Sequence, residues 1–277
     1  MHLEETSNRN SGFWDELCGS QAAKALGVTD SSQNSLKKFD DWYFDYYPYL
    51  YTYIPFAELK GKDILEVGLG YGTVSQRIAE AGANLQGLDI AAEPVSMVNH
   101  RLEQIRQPGK AIQGSILEPP FEATSFDVII AIGCLHHTGD LKRAIDQCWH
   151  LLKPGGSLIF MVYYAYSYRR WKMAPELTHD YLAKENTGYH GVVGESSSLD
   201  RAAYDSDSKG DSAPHTDWIS KRSLRQYCDK FSSFTANLEN IDQGSPFEDY
   251  PRKKLLNTYW PSFIGLDLYA TARKANE

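Results

Sequence analysis

Cysteine is scarce in this chain. The four present, Cys18, Cys134, Cys148 and Cys228, match neither a zinc-ligand nor a redox-pair spacing. Their scatter predicts a reducing, cytoplasmic setting. Basic charge is short as well: 28 Lys and Arg stand against 36 Asp and Glu, a formal net charge of -8. Such a balance leaves no general basic face for phosphates and speaks against a nucleic-acid partner. The small basic clusters at Arg169, Arg170 and Lys172, and at Arg252, Lys253 and Lys254, read as solvated surface. The longest apolar run, Leu158 to Tyr166, falls far short of the ~20 residues of a membrane span, so no membrane partner is expected. The opening "MHLEETSNRN" has no apolar signal region, and no Asn-x-Ser/Thr acceptor or internal repeat occurs.

What remains suits one large domain, or one domain with a substantial insertion: 277 residues, 42% of them hydrophobic. Residues 1–60 are aromatic-rich and read as helical, with six tyrosines between Tyr43 and Tyr53. From residue 61 short apolar strands alternate with helical stretches, the signature of a parallel sheet. Strands are expected at Asp63–Val67, Asn84–Asp89, Ala111–Gly114, Phe126–Ile132 and Ser157–Val162. Helices are expected near Thr73–Ala81, Pro94–Ile105 and Asp140–Leu152, the last ending in a "KPGG" turn, Lys153 to Gly156. Residues 165–220 break the rhythm. They are polar and rich in Gly, Ser and Asp, the composition of a lid or binding loop. The pattern resumes with a helix at Lys221–Phe231 and strands at Phe234–Asn240 and Gly265–Ala272.

The stretch Glu66-Val67-Gly68-Leu69-Gly70-Tyr71-Gly72 ends a strand and opens a helix. Its glycines permit a tight turn and close backbone approach, and the helix start offers free N–H groups. A dinucleotide loop would need its third glycine at position 73, which is Thr73. Glu66 would also repel a pyrophosphate, whereas it suits a ligand that carries an ammonium group.

"DILEVGLGYGT" resembles the first motif of class I S-adenosylmethionine-dependent methyltransferases, and "GLDIA" resembles their second acidic motif. "FDVIIAIGCLHHTGDLKRAIDQCWHLLKPGGSLIFMVY" resembles their fourth and fifth strands with the helix between. The resemblance covers about residues 60–165, with its motifs in order. It implies a Rossmann-like, doubly wound α/β fold: seven mostly parallel strands with the last antiparallel, an N-terminal helical cover (1–60) and a methyltransferase domain (61–277) with a lid inserted at about 165–220. It also implies S-adenosyl-L-methionine as cofactor and S-adenosyl-L-homocysteine as product. Glu66, Gly68, Gly70 and Gly72 would cradle its amino-acid end, and Asp89 with Ile90 its ribose. Ser115 and Ile116 would stand by the adenine, where the family commonly has Asp in place of Ser115. Gly133 ends strand four beside the cofactor, and Tyr46 and Tyr47 of the cover would reach its carboxylate.

His136 and His137 follow strand four, beside the expected methyl position, and an imidazole is a suitable base. A structural role in shaping the loop is the alternative for each ring. Tyr163, Tyr164 and Tyr166 after strand five are expected to line the acceptor pocket, with His190, Tyr204 and His215 from the lid. "DSDSKGD", Asp205 to Asp211, fails as a calcium loop because its fifth position is Lys209 and its twelfth is Thr216; no metal is expected. The resulting expectation is methyl transfer to a small-molecule acceptor by a monomer or homodimer, with oxygen favoured over nitrogen or carbon. Protein or nucleic-acid methylation, and cofactor binding without catalysis, are the alternatives.

Overall fold

Every expected strand pairs into one sheet. The computed structural model describes residues 3–193, 196–242, 244 and 246–277. Its strands are β1 (Asp63–Val67), β2 (Asn84–Asp89), β3 (Gly109–Gln113), β4 (Phe126–Ile132), β5 (Leu152–Tyr164), β6 (Trp218–Ile219), β7 (Ser233–Glu239) and β8 (Asp267–Arg273). The order is β3-β2-β1-β4-β5-β8-β7, with the two-residue β6 paired to the end of β5. β1 to β5 run parallel, and β8 is antiparallel to both β5 and β7. The last strand is therefore inserted between two others and does not form an edge.

Alternation along the strands splits the core into two layers. Leu65, Ile129, Leu158 and Phe160 face one side; Ile64, Val128, Ile130 and Ile159 face the other. Helices cover both faces. α1 (Leu3–Trp14), α2 (Ser20–Ala25), α3 (Gln33–Tyr46) and α4 (Leu50–Tyr53) precede the sheet, and α5 (Thr73–Glu80), α6 (Ala92–Gln104) and α7 (Leu141–Leu151) connect its first strands. α3 and α7 start where the Ser32 and Asp140 side chains accept from the N–H groups of Ser35 and Arg143.

Two local expectations are corrected. The "KPGG" turn belongs to β5, whose register against β4 shifts between Phe126 and Val128. Gly155, at φ 74°, supplies the bend, so the extra residues form a bulge in the strand. Residues 165–220 are not one long loop: they carry α8 (Tyr168–Met173), α9 (Pro175–Asn186) and α10 (Ser198–Ala202). Ala165, Tyr181, Val193 and Trp218 give this insertion its own small core, and the Arg170 guanidinium lies 4.4 Å from the Trp218 ring centre. Gly194 and Glu195, within that stretch, lie outside the described residues. After α11 (Lys221–Tyr227) and β7, α12 (Arg252–Leu256) and α13 (Trp260–Ile264) fill a stretch whose apolar pattern is too short to read as helix. No described helix is long and apolar enough to cross a membrane.

Candidate active site

Glycine conformation shapes the loop after β1. Gly68 has φ 77°, and a Cβ there would lie 2.5 Å from Cys134 Cβ, so the β1 and β4 ends meet only because position 68 has no side chain. Gly72, also left-handed, caps α5 and packs where a Cβ would come within 2.9 Å of both Val98 and Arg101. The loop borders a cavity of about 1150 Å³, open to solvent, lined among others by Glu66, Gly68, Gly70, Asp89, Ile90, Ser115, Ile116, Gly133 and His137. Gly72 is not in that lining: its part is packing of α5 against α6.

Two acids sit in this cavity. Asp89 accepts from the Leu69 N–H at 2.7 Å and the Ala91 N–H at 2.9 Å, which fixes its carboxylate at the end of β2. Glu66 accepts from the Ser75 hydroxyl. Both are more than nine-tenths buried, and neither has a Lys or Arg nitrogen within 4.0 Å among the described residues. Burial pushes Glu66 up to about 8 and also raises Asp89. Two buried acids without counter-cations, beside a glycine loop, suit a ligand with an ammonium group and hydroxyls to donate.

The N-terminal helices close this cavity. Ser7, Asn10, Trp14, Cys18, Phe39 and Tyr43 line it. Asn10 donates to the His137 carbonyl at 2.6 Å, and Asp15 accepts from the Ala92 and Glu93 N–H groups at the start of α6. Tyr43, one helical turn from Phe39, borders this cavity, whereas Tyr46 and Tyr47 are not in its lining. Those two continue along α3 past the loop and line a second, adjoining cavity of about 1630 Å³, open to solvent. The walls of both cavities include Trp14, Cys18, Tyr43, Ile132 and Gly133.

The histidines divide. His136 has no exposed surface, and among the described residues neither ring nitrogen finds a hydrogen-bond partner. Its ring packs 4.2 Å from Tyr163, and burial lowers its pKa well below the ordinary range. It lines neither cavity. His137 lines the first one. Its Nδ1 donates to the His215 carbonyl at 2.7 Å, which leaves Nε2 as the acceptor nitrogen, 3.5 Å from Asp205 Oδ2. Burial lowers His137 and raises Asp205, although each charge favours the other; both shifts favour the uncharged pair. Asp205 also accepts from the Tyr163 hydroxyl, at 2.9 and 3.1 Å to its two oxygens, and lines the second cavity.

Of the other expected pocket residues, Tyr163 and Tyr204 line the second cavity. Strand alternation turns Tyr164 to the opposite face, against the first core layer. Tyr166 donates to Glu185 inside the insertion. His190 is exposed and borders neither cavity. His215 contributes through its carbonyl, and its own ring pairs with Asp217 at 3.0 Å. Asp207, in the "DSDSKGD" stretch, accepts from the Lys209 and Asp211 N–H groups and so closes a turn. No three described His, Cys, Asp or Glu side chains converge as a metal site. Asp205 is legible in the sequence only as a lid residue, and Asp267, Trp14 and Tyr43 are lining residues that it does not single out, because no spacing connects them to the glycine loop.

A family model described as a methyltransferase domain matches residues 65–160. These residues carry the glycine loop, Asp89 and both histidines. Over this stretch the chain is similar to the class I S-adenosylmethionine-dependent methyltransferases. A ubiquinone biosynthesis O-methyltransferase from Coxiella burnetii is 34% identical over 134 residues, 44% of this chain and 57% of that protein. The chain spans about half the length of the curated relatives it matches. Among solved structures, the YcgJ protein from Bacillus subtilis aligns with a TM-score of 0.56 at 16% identity, covering 83% of this chain and 100% of that one. The N-methyltransferase NodS from Bradyrhizobium japonicum, in complex with S-adenosyl-L-homocysteine, aligns with a TM-score of 0.52 at 15% identity, covering 92% and 97%. At these identities the structural likeness speaks to fold alone.

Proposed function

We propose that this chain transfers a methyl group from S-adenosylmethionine to a hydroxyl of a small-molecule acceptor. The observation that carries the reading is the pair Glu66 and Asp89: buried, without counter-cations, at the glycine loop, in a cavity that opens beside His137. On this reading Glu66 faces the cofactor's ammonium group and Asp89 its ribose hydroxyls. Gly68 and Gly70 let the backbone approach, Ser115 and Ile116 flank the adenine, and helices of residues 1–60 cover the cofactor. S-adenosyl-L-homocysteine is the ligand of NodS, and ubiquinone biosynthesis O-methyltransferase is the name of the Coxiella relative; both agree with this reading.

When bound, the cofactor supplies an electrophilic methyl group on a sulfonium and leaves as a thioether. The acceptor oxygen would enter from the second cavity, which adjoins the first at Gly133. The His137–Asp205 pair, its imidazole Nδ1–H held by the His215 carbonyl, takes up the hydroxyl proton as the new O–C bond forms. The aromatic walls exclude water and orient the acceptor. The acidic net charge accords with a metabolite as acceptor, and four free cysteines accord with a reducing compartment such as the cytoplasm.

Calorimetric titration with S-adenosylhomocysteine and NAD, followed by assay with methyl-labelled S-adenosylmethionine on a panel of hydroxylated small molecules, tests the proposal. Saturable S-adenosylhomocysteine binding and label transfer are expected. Saturable NAD binding with no response to S-adenosylhomocysteine would end the reading.

A further inference from the structure

The second cavity holds an acid that the methyl-transfer chemistry leaves unused. Asp267 opens β8, opposite Tyr163 of β5 and Glu239 of β7, at the edge of the sheet where the parallel strands end. It is 2% exposed and lines the cavity. Its one hydrogen-bond partner among the described side chains is Asn240, whose Nδ2 donates to Oδ2 at 2.9 Å. No Lys or Arg nitrogen comes within 4.0 Å of it among the described residues. Arg169, which also lines the cavity, is committed elsewhere: it pairs with Asp242, donates to the Ala203 carbonyl and lies over the Tyr204 ring. A buried carboxylate with no cation is costly and ordinarily either keeps its proton or waits for a charged partner. Burial pushes Asp267 up to about 7, with Asp205 nearby adding to the shift, although the Asn240 hydrogen bond and the more distant Arg169 and Arg252 charges pull it down.

The walls suit a cation too. Trp14, Tyr43, Tyr47, Tyr163, Tyr204 and Tyr269 border the same space, and ring faces attract ammonium groups. Asp205, on the insertion, lines the same space, as do Glu16, Asp207 and Asp242. A neutral quinol or simple phenol would leave Asp267 with Asn240 but no charged partner.

We infer that the acceptor is a hydroxylated amine, its protonated nitrogen received by Asp267 and the aromatic walls while its hydroxyl is presented near His137 and Asp205. This rests on the methyltransferase reading of the adjoining cavity.

Calorimetry on the full chain, with and without saturating S-adenosylhomocysteine, decides it with two probes that share a ring and a hydroxyl. Tyramine carries the ammonium group and 4-ethylphenol does not. Tyramine is expected to bind at least tenfold more tightly at pH 8. Asp267→Asn should erase that preference while the variant still binds S-adenosylhomocysteine, which reports an intact fold. If that variant does not fold, Asp267→Ser takes its place. Equal affinity for the probes, no binding of either, or a preference that survives loss of the carboxylate overturns the inference and leaves the cofactor reading standing. Failure to bind S-adenosylhomocysteine sinks the methyltransferase reading instead, and the tyramine preference is then read on the chain without it.

Discussion

His137 Nε2 lies 3.5 Å from Asp205 Oδ2, so the turn after β4 and the inserted segment meet between the two cavities. The histidine borders the first cavity, and the aspartate reaches in from the second. If this pair moves the acceptor's proton, Asp205→Asn should lower kcat about 10²-fold, within the range of general acid–base contributions. S-adenosylhomocysteine affinity should hold, because Asp205 borders only the second cavity. Turnover on an acceptor that the unsubstituted chain methylates, alongside calorimetry, separates the two; unchanged kcat would remove Asp205 from the mechanism.

If Glu66 faces the cofactor's ammonium group, cofactor binding is proton-linked. Burial holds its proton to about 8 in the folded chain, whereas an unfolded one releases it near 4.5. Between those values the native state binds more protons, so the stability of the ligand-free chain falls as pH rises through that window. A bound ammonium group favours the ionised form. At pH 7, S-adenosylhomocysteine binding should therefore release protons, and its apparent enthalpy should change with the ionisation enthalpy of the buffer. Identical enthalpies in phosphate and Tris would contradict the assignment of Glu66 to the ammonium group.

Asp89 accepts two backbone N–H groups at the end of β2 while lining the cofactor cavity. Loss of charge-assisted bonds to two ribose hydroxyls costs about 1.5–3 kcal/mol. Asp89→Ala should weaken S-adenosylhomocysteine at least tenfold in a chain that keeps its circular dichroism. Full affinity in that folded variant would mean the ribose lies elsewhere.

Gly68→Ala tests the loop itself. The added Cβ meets Cys134 Cβ at 2.5 Å and Sγ at 2.9 Å, with φ at 77°. Overpacking and a left-handed alanine together should cost about 1–3 kcal/mol, visible as a lower denaturation midpoint and accompanied by weaker cofactor binding. Wild-type stability in the variant would show that the β4 turn yields easily.

Local pattern carried the parallel sheet, the glycine loop and the two acids that end β1 and β2. Each depends on neighbours within a few residues: strand alternation, a turn that needs glycine, a carboxylate at a strand end. The bulge at Gly155 and the helical content of the insertion were hidden, because both follow from packing against distant strands and rings. Which histidine borders the cofactor cavity was decided by the Asn10 and His215 contacts on either side of His137, which no spacing announces. The same holds for Tyr43 over Tyr46 and Tyr47: α3 is legible as a helix, but the face that meets the loop depends on where it docks. Asp205 and Asp267 stand far apart in the chain from the glycine loop and from each other. They line one cavity only because the insertion folds back over β5 and the antiparallel β8 starts where the parallel strands end.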